Sequence, residues 1–179
     1  ESLTTWGASS TNTAGDLRLG SGSEIVCAVE TKQQIIVFTD TSVYAMQFLG
    51  PPFTFGINMI SDNTTISGAF APVGIEDSVF WMGLSEFYSY DGTVKEIPCT
   101  VKDFVFKDFN QDQRSKVYAA SNTAFSEVWW FYPSASSFEN DRYVVYNYGQ
   151  NIWYYGSMSR TAWIDRGIFD FPFAANVDG

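Results

Sequence analysis

The chain has 179 residues, 45% of them hydrophobic and 18% aromatic, with ten basic against twenty acidic side chains and no histidine. That much aromatic content excludes a disordered chain. The formal charge of −10 argues against a surface that grips phosphate, because nucleic-acid binders neutralise phosphates with Lys and Arg. Without histidine the chain also lacks the commonest general base, the commonest zinc ligand and the usual serine-hydrolase triad.

Residues 1–23, rich in Thr, Ser, Gly and Asn, are expected to form a loop arm. Gly15-Asp16 and Gly20–Gly22 supply turns, and Trp6 ties the arm to the body. The first repeated unit covers 24–62. Its strands are expected at Glu24–Val29, Gln34–Thr39, Ser42–Leu49 and Phe53–Ile60, with a tight hairpin at Asp40-Thr41.

The second unit, 63–99, keeps the order. A short first strand is expected at Thr65–Phe70, closed by Pro72 and Gly74. Ser78–Met82, Glu86–Tyr90 and Thr93–Ile97 follow, and Asp91-Gly92 is a strong signal for a hairpin turn that needs positive φ. Cys27 and Cys99 have no CxxC partner and read as small buried hydrophobes rather than a disulfide.

Residues 100–115 form a connection with a helical look. Val101, Phe104 and Val105 recur at helical spacing, and Asn110-Gln111-Asp112 could cap a second short helix. The rival reading continues a strand through Phe104 and Phe106. Unit three covers 116–160, with strands at Lys116–Ala120, Glu127–Tyr132, Arg142–Tyr148 and Asn151–Tyr155. Pro133 ends the second of these, since proline cannot donate to a ladder; Gly149-Gln150 makes a turn, and Gly156–Arg160 is a loop. Residues 161–179 hold the start of a further unit, in Thr161–Asp165 and Ile168–Phe171.

Spacing carries the architectural argument. Ile36 and Phe80 take equivalent places 44 residues apart, as do Tyr44 and Tyr88. A period near 44 with four short strands per unit matches a propeller blade of about 40–45 residues. One such sheet cannot bury both faces alone, so stacked neighbours must cover them. That explains near-continuous apolar runs such as Val128–Tyr132. The expected fold is therefore all-β: a β-propeller-like repeat of about three four-stranded antiparallel blades plus the start of a fourth. One short helix lies between blades two and three. The alternative is a β-sandwich with coincidental spacing. The chain lacks an initiating Met, and it is expected to be part of something longer.

Catalytic chemistry is sparse. Asp103, Asp108, Asp112, Glu127, Glu139, Asp141, Asp165 and Asp170 could supply a glycosidase pair, yet no spacing selects two of them. No EF-hand loop, P-loop, zinc pattern or sialidase box is present; Asp91-Gly92-Thr93 is a turn. Asn63-Thr64-Thr65 matches a glycosylation sequon. Trp129-Trp130 and Trp153-Tyr154-Tyr155 could stack on sugars, but repeated strand aromatics are more often blade-to-blade core. No catalytic, cofactor-binding or metal residue is assigned, and no cofactor is expected. No stretch approaches the ~18 apolar residues of a spanning helix.

Four stretches, Phe38–Gly56, Phe80–Val101, Phe125–Ser134 and Asp141–Trp163, together resemble a family of phage virion proteins. These are the tail nozzle, or tail tubular and stabilisation, proteins of short-tailed phages and related prophages and marine phages. The resemblance implies a propeller-bearing, non-enzymatic subunit, made in the host cytoplasm and residing in the virion tail. It would assemble as a homo-oligomeric ring around the DNA exit channel and contact adaptor and fibre proteins. Sequence-specific nucleic-acid binding and membrane association are not expected. Family members are several times longer, so ring and partner surfaces cannot be placed on this chain. Two further functions compete with this one: a carbohydrate-binding propeller that recognises a host surface glycan, and a glycan hydrolase with paired loop carboxylates.

Overall fold

A computed structural model describes residues 4, 7–9 and 12–176; Trp6 lies outside them. The chain is all-β, organised as blade-like antiparallel sheets. The first sheet has the order β1 (Ile25–Glu30), β2 (Ile35–Thr39), β3 (Val43–Gly50), β4 (Thr54–Ser61). The second is β5 (Pro72–Ile75), β6 (Ser78–Met82), β7 (Phe87–Tyr90), β8 (Val94–Glu96). In the third, β9 (Tyr118–Asn122), β10 (Glu127–Tyr132), β11 (Arg142–Asn147) and β12 (Ile152–Ser157) again pair in sequence order. A two-stranded hairpin of β13 (Ala162–Ile164) and β14 (Phe173–Ala175) follows.

The period of 44 is a structural repeat. Ile36 pairs with Ala45 as Phe80 pairs with Ser89, and Tyr44 opposes Val37 as Tyr88 opposes Trp81. The first strands of successive units adjoin: β1 meets β5, β5 meets β9 and β9 meets β13. That row of first strands is the propeller-like feature of the fold. At Gly74 an added Cβ would sit 3.0 Å from the Glu30 carbonyl. Glycine there lets β5 close on β1.

Side chains alternate between faces along a strand, and in the third sheet both faces are used. Trp130 lies 5.0 Å from Phe87 of the second sheet. Trp129, its neighbour in sequence, stacks 5.8 Å from Trp163 of the hairpin. The run Val128–Tyr132 is therefore apolar throughout because it has partners on either side. Between the first two sheets, Phe38 meets Trp81 edge-on at 5.1 Å.

The connection between sheets two and three is helical, as its spacing predicts: α1 spans Lys102–Asp108 with Val105 buried. A 3-10 segment follows at Gln111–Lys116, where the Asn110 side chain accepts from the Asp112 N–H. The strand continuation through Phe106 does not form.

Three sequence expectations are corrected. Thr65–Phe70 is not a strand; the first strand of the second sheet is β5, which begins at Pro72. Proline fits there because β5 is an edge strand and Pro72 its first residue. The backbone of 65–70 instead joins neighbours, with Ser67 N–H donating to the Met82 carbonyl and Ala119 N–H to that of Phe70. Ile168–Phe171 is likewise outside a strand, and the pairing partner of β13 starts after Pro172. Finally, Gly156 and Ser157 extend β12 rather than opening a loop. The Tyr143 ring occupies the space above Gly156, where a Cβ would lie 2.6 Å from Tyr143 Cζ.

Candidate functional site

Most of the carboxylates picked out in the sequence have separate partners, although burial together with Asp108 and Asp141 raises the pKa of the Tyr132 phenol. Asp103 pairs with Lys107 one helical turn away, and Asp108 accepts from Arg142 at 3.1 Å, tying α1 to the third sheet. Glu139 pairs with Lys116. Asp141 closes the β10–β11 loop by accepting from the Ser134 N–H at 2.7 Å and its hydroxyl at 2.8 Å. Glu127 accepts from Trp129 Nε1 at 2.9 Å, Asn122 Nδ2 at 3.1 Å and the Tyr154 hydroxyl. Burial and this carboxylate together push the Tyr154 phenol far above its usual value. Asp112 and Asp170 are solvent-exposed.

Asp165 fastens the hairpin to the third sheet. Its Oδ2 accepts from the Thr123 N–H at 2.9 Å and the Thr123 hydroxyl at 2.7 Å. Burial opposes its ionisation, but hydrogen bonds from Thr123, Arg166 and Ser121 outweigh that and hold the carboxyl below its ordinary value. Asp40 does the same work at the other end. It accepts from the Ser23 N–H at 2.7 Å and hydroxyl at 2.6 Å, and these bonds lower its pKa. Sequence reading took Asp40 as a turn residue; its long-range tie to Ser23 has no local signal.

The aromatic residues that could have met a sugar are mostly spent on packing. Trp130 is fully buried and its indole N–H donates to the Ala71 carbonyl. Trp129 lies among Tyr143, Phe131 and Trp163. Trp153 packs on Tyr146 at 4.7 Å and donates to the Pro98 carbonyl. Tyr155 differs: it is 47% exposed and lies 4.2 Å from Phe104, itself 46% exposed. The sequence marks Tyr155 as a possible sugar-stacking residue but not its pairing with Phe104, which reads there as an apolar helix position.

One mixed cleft lies at the hairpin end between sheets two and three, lined by Glu76, Asp77, Ser78, Phe80, Thr123 and Tyr148. Phe80 and Tyr148 stack across it at 5.7 Å. Glu76 holds φ +55° at the first position of a two-residue loop, a place that favours glycine. The cleft offers hydroxyls and carboxylates but no activated nucleophile. Cys27 and Cys99 are free, and burial pushes both thiols up to about 11; both pack against the hydrophobic core. They are poor nucleophiles, because the thiolate is the reactive form. Among the described residues, no three Cys, Asp or Glu side chains gather as metal ligands. No helix among them is long and apolar enough to cross a membrane. No family model matches this chain, and no curated protein does so.

Proposed function

We propose that the chain is a non-enzymatic structural part of a phage tail nozzle or tube, which assembles with other virion tail subunits as a ring that conducts DNA. The observation that carries this reading is the use made of the aromatic residues. They join blade-like sheets into a row, as a wall component requires, and the acidic groups fasten loops and ends. The resemblance of Phe38–Gly56, Phe80–Val101, Phe125–Ser134 and Asp141–Trp163 to tail nozzle proteins supplies the biological setting. A net charge of −10 suits a duct past which DNA must slide without being held. Peptide mass spectrometry of purified virions should find the chain, and negative-stain images of the full-length parent should show rings. Absence from virions, or a parent that stays monomeric at high concentration, would overturn the reading.

The Phe104–Tyr155 pair favours one alternative, recognition of a host surface glycan, because a sugar ring can stack on exposed aromatics. A glycan array decides it: binding that Tyr155→Ala abolishes would replace the structural reading, and an empty array would retire the alternative.

A further inference from the structure

First strands adjoin one another along the row, β1 to β5, β5 to β9 and β9 to β13. Each four-stranded sheet runs in sequence order from its first strand to its fourth, so β4, β8 and β12 lie along the opposite rim. Each is an edge strand, with one side of its backbone turned away from its partner. Units stacked on the faces of the sheets leave that rim uncovered.

The three rim strands occupy the same place in the repeat, and two of them are blunted. β8 has only three residues, of which Lys95 and Glu96 are exposed, and Lys95 pairs with Asp91. Short length and charge are both devices that keep an edge from pairing. β12 has α1 against it, with Phe104 on Tyr155 at 4.2 Å. β4 has none of these protections. It runs for eight residues, Thr54–Ser61, and no charged side chain occurs between Asp40 and Asp62. Among the described residues, no backbone hydrogen bond joins β4 to anything outside the β3–β4 hairpin. The N-terminal strap meets this sheet through Leu17 and Leu19, which lie against Val37, Met46, Phe55 and Ile57. Those contacts are made by side chains on a face, and the backbone edge stays unbonded.

We propose that β4 is a strand-addition site, where an extended, uncharged segment of another polypeptide pairs along Thr54–Ser61 as a fifth strand of the first sheet. The backbone selects the class of partner, since a row of outward N–H and C=O groups at strand spacing is matched by another extended backbone. The side chains narrow it. Phe55, Ile57 and Met59 alternate onto one face, so the added strand gains most from apolar or β-branched residues at every second position. A second copy is the weaker candidate, because two chains of charge −10 repel. The inference rests on the rim strands alone and stands whether or not the chain is a virion component.

Panning a library of random linear octapeptides against this chain tests it. Enriched peptides should alternate β-branched or aromatic residues with uncharged polar ones and lack proline. With such a peptide bound, hydrogen exchange should slow at alternate β4 amides, those turned away from β3, and stay unchanged in β8. Met59→Lys, and Asn58→Lys on the strand's other face, give β4 the kind of charge that guards β8. Each should weaken binding roughly threefold or more, the scale of one cross-strand pair, while Phe138→Lys, in the β10–β11 loop, leaves it unchanged. Circular dichroism verifies that the variants are folded. A library that yields no binder overturns the proposal, as do peptides that bind without protecting β4 or that ignore both lysines. So does a chain that protects its own β4 amides by self-association, since the occupant is then a second copy.

Discussion

The second sheet and the β13–β14 hairpin are built from the same kinds of residue and end in opposite surroundings. Val79, Trp81, Met82 and Phe87 are wholly buried, whereas Ile164, Phe171 and Phe173 are more than half exposed. Nothing intrinsic to the strands separates them. Among the described residues, the second sheet has a neighbour on each face and the hairpin has one, through Trp163. In a stacked array, burial belongs to the junction between units rather than to the unit. Stability should therefore be unevenly distributed along the row.

The widest expected gap lies between Trp81 and Phe173. Trp81→Ala removes a fully buried indole that meets Phe38 and stacks on Tyr88 at 5.4 Å. It should cost ~3–5 kcal/mol in urea denaturation. Phe173→Ala, measured on dilute monomer, should cost less than ~0.5 kcal/mol. Comparable losses at the two sites would mean that the hairpin is covered, and the contrast would collapse.

The junction can also be probed by overfilling it. Gly74→Ala places a methyl 3.0 Å from the Glu30 carbonyl and 3.1 Å from Val29 Cγ1. Backbone cannot yield as a side-chain tip can, so β5 must move away from β1, at ~1–3 kcal/mol. Gly92→Ala makes a useful contrast. That glycine has open space around it and φ +107°, so its cost comes from the turn conformation and leaves the junction intact. Hydrogen exchange at β1 separates the two, with faster exchange expected only for Gly74→Ala.

Much of this row was legible in the sequence where local chemistry and tertiary use agree. Ser78–Met82 and Glu127–Tyr132 form strands over the expected residues. Gly92 has the positive φ that Asp91-Gly92 predicted. The repeat was legible because each blade needs the same four strands in the same register. Thr65–Phe70 failed as a strand where Pro72 was expected to close it, and Ile168–Phe171 failed just before Pro172. At both places proline precedes pairing, because an edge strand has no ladder bond to lose at its first residue. Thr65–Phe70 alternates well enough for a strand but spends its backbone groups at the end of β6 in its own sheet and on β9 of the next. No local pattern reports that. The ties of Asp40 to Ser23 and Asp165 to Thr123 were hidden for the same reason, as each links residues far apart in the chain.

Those two carboxylates sharpen the contrast between ends and middle. Both have folded pKa values below the ordinary one. Each therefore adds stability above the unfolded aspartate pKa of about 3.9, and loses it as pH falls through the lower folded value. The apolar junctions of the second sheet do not titrate in that range. Acid should loosen the two ends first, with exchange at Thr123 and Ser23 rising below about pH 3.9 while Met82 stays protected. Asp165→Asn should weaken docking of the hairpin by ~1 kcal/mol at neutral pH and remove the acid step at Thr123. An acid transition that reaches Met82 and Thr123 together would refute the ordering.

The smallest effect is expected under the strap. Leu17 is 51% exposed at the edge of an open cleft, so Leu17→Ala sacrifices little buried area and should cost less than ~0.5 kcal/mol. The strap's firmer hold lies elsewhere. Tyr44 receives the Ser21 N–H at 2.7 Å and donates to the Ser21 carbonyl at 2.9 Å. Tyr44→Phe should therefore outweigh Leu17→Ala, at ~1 kcal/mol for the lost hydroxyl. Protease nicking between residues 12 and 20 measures both directly, because cleavage requires that the strap lift. If Leu17→Ala speeds nicking more than Tyr44→Phe does, apolar packing rather than the Tyr44–Ser21 link holds that end. The first sheet would then have a true apolar neighbour in the strap, as the second sheet has on each of its faces.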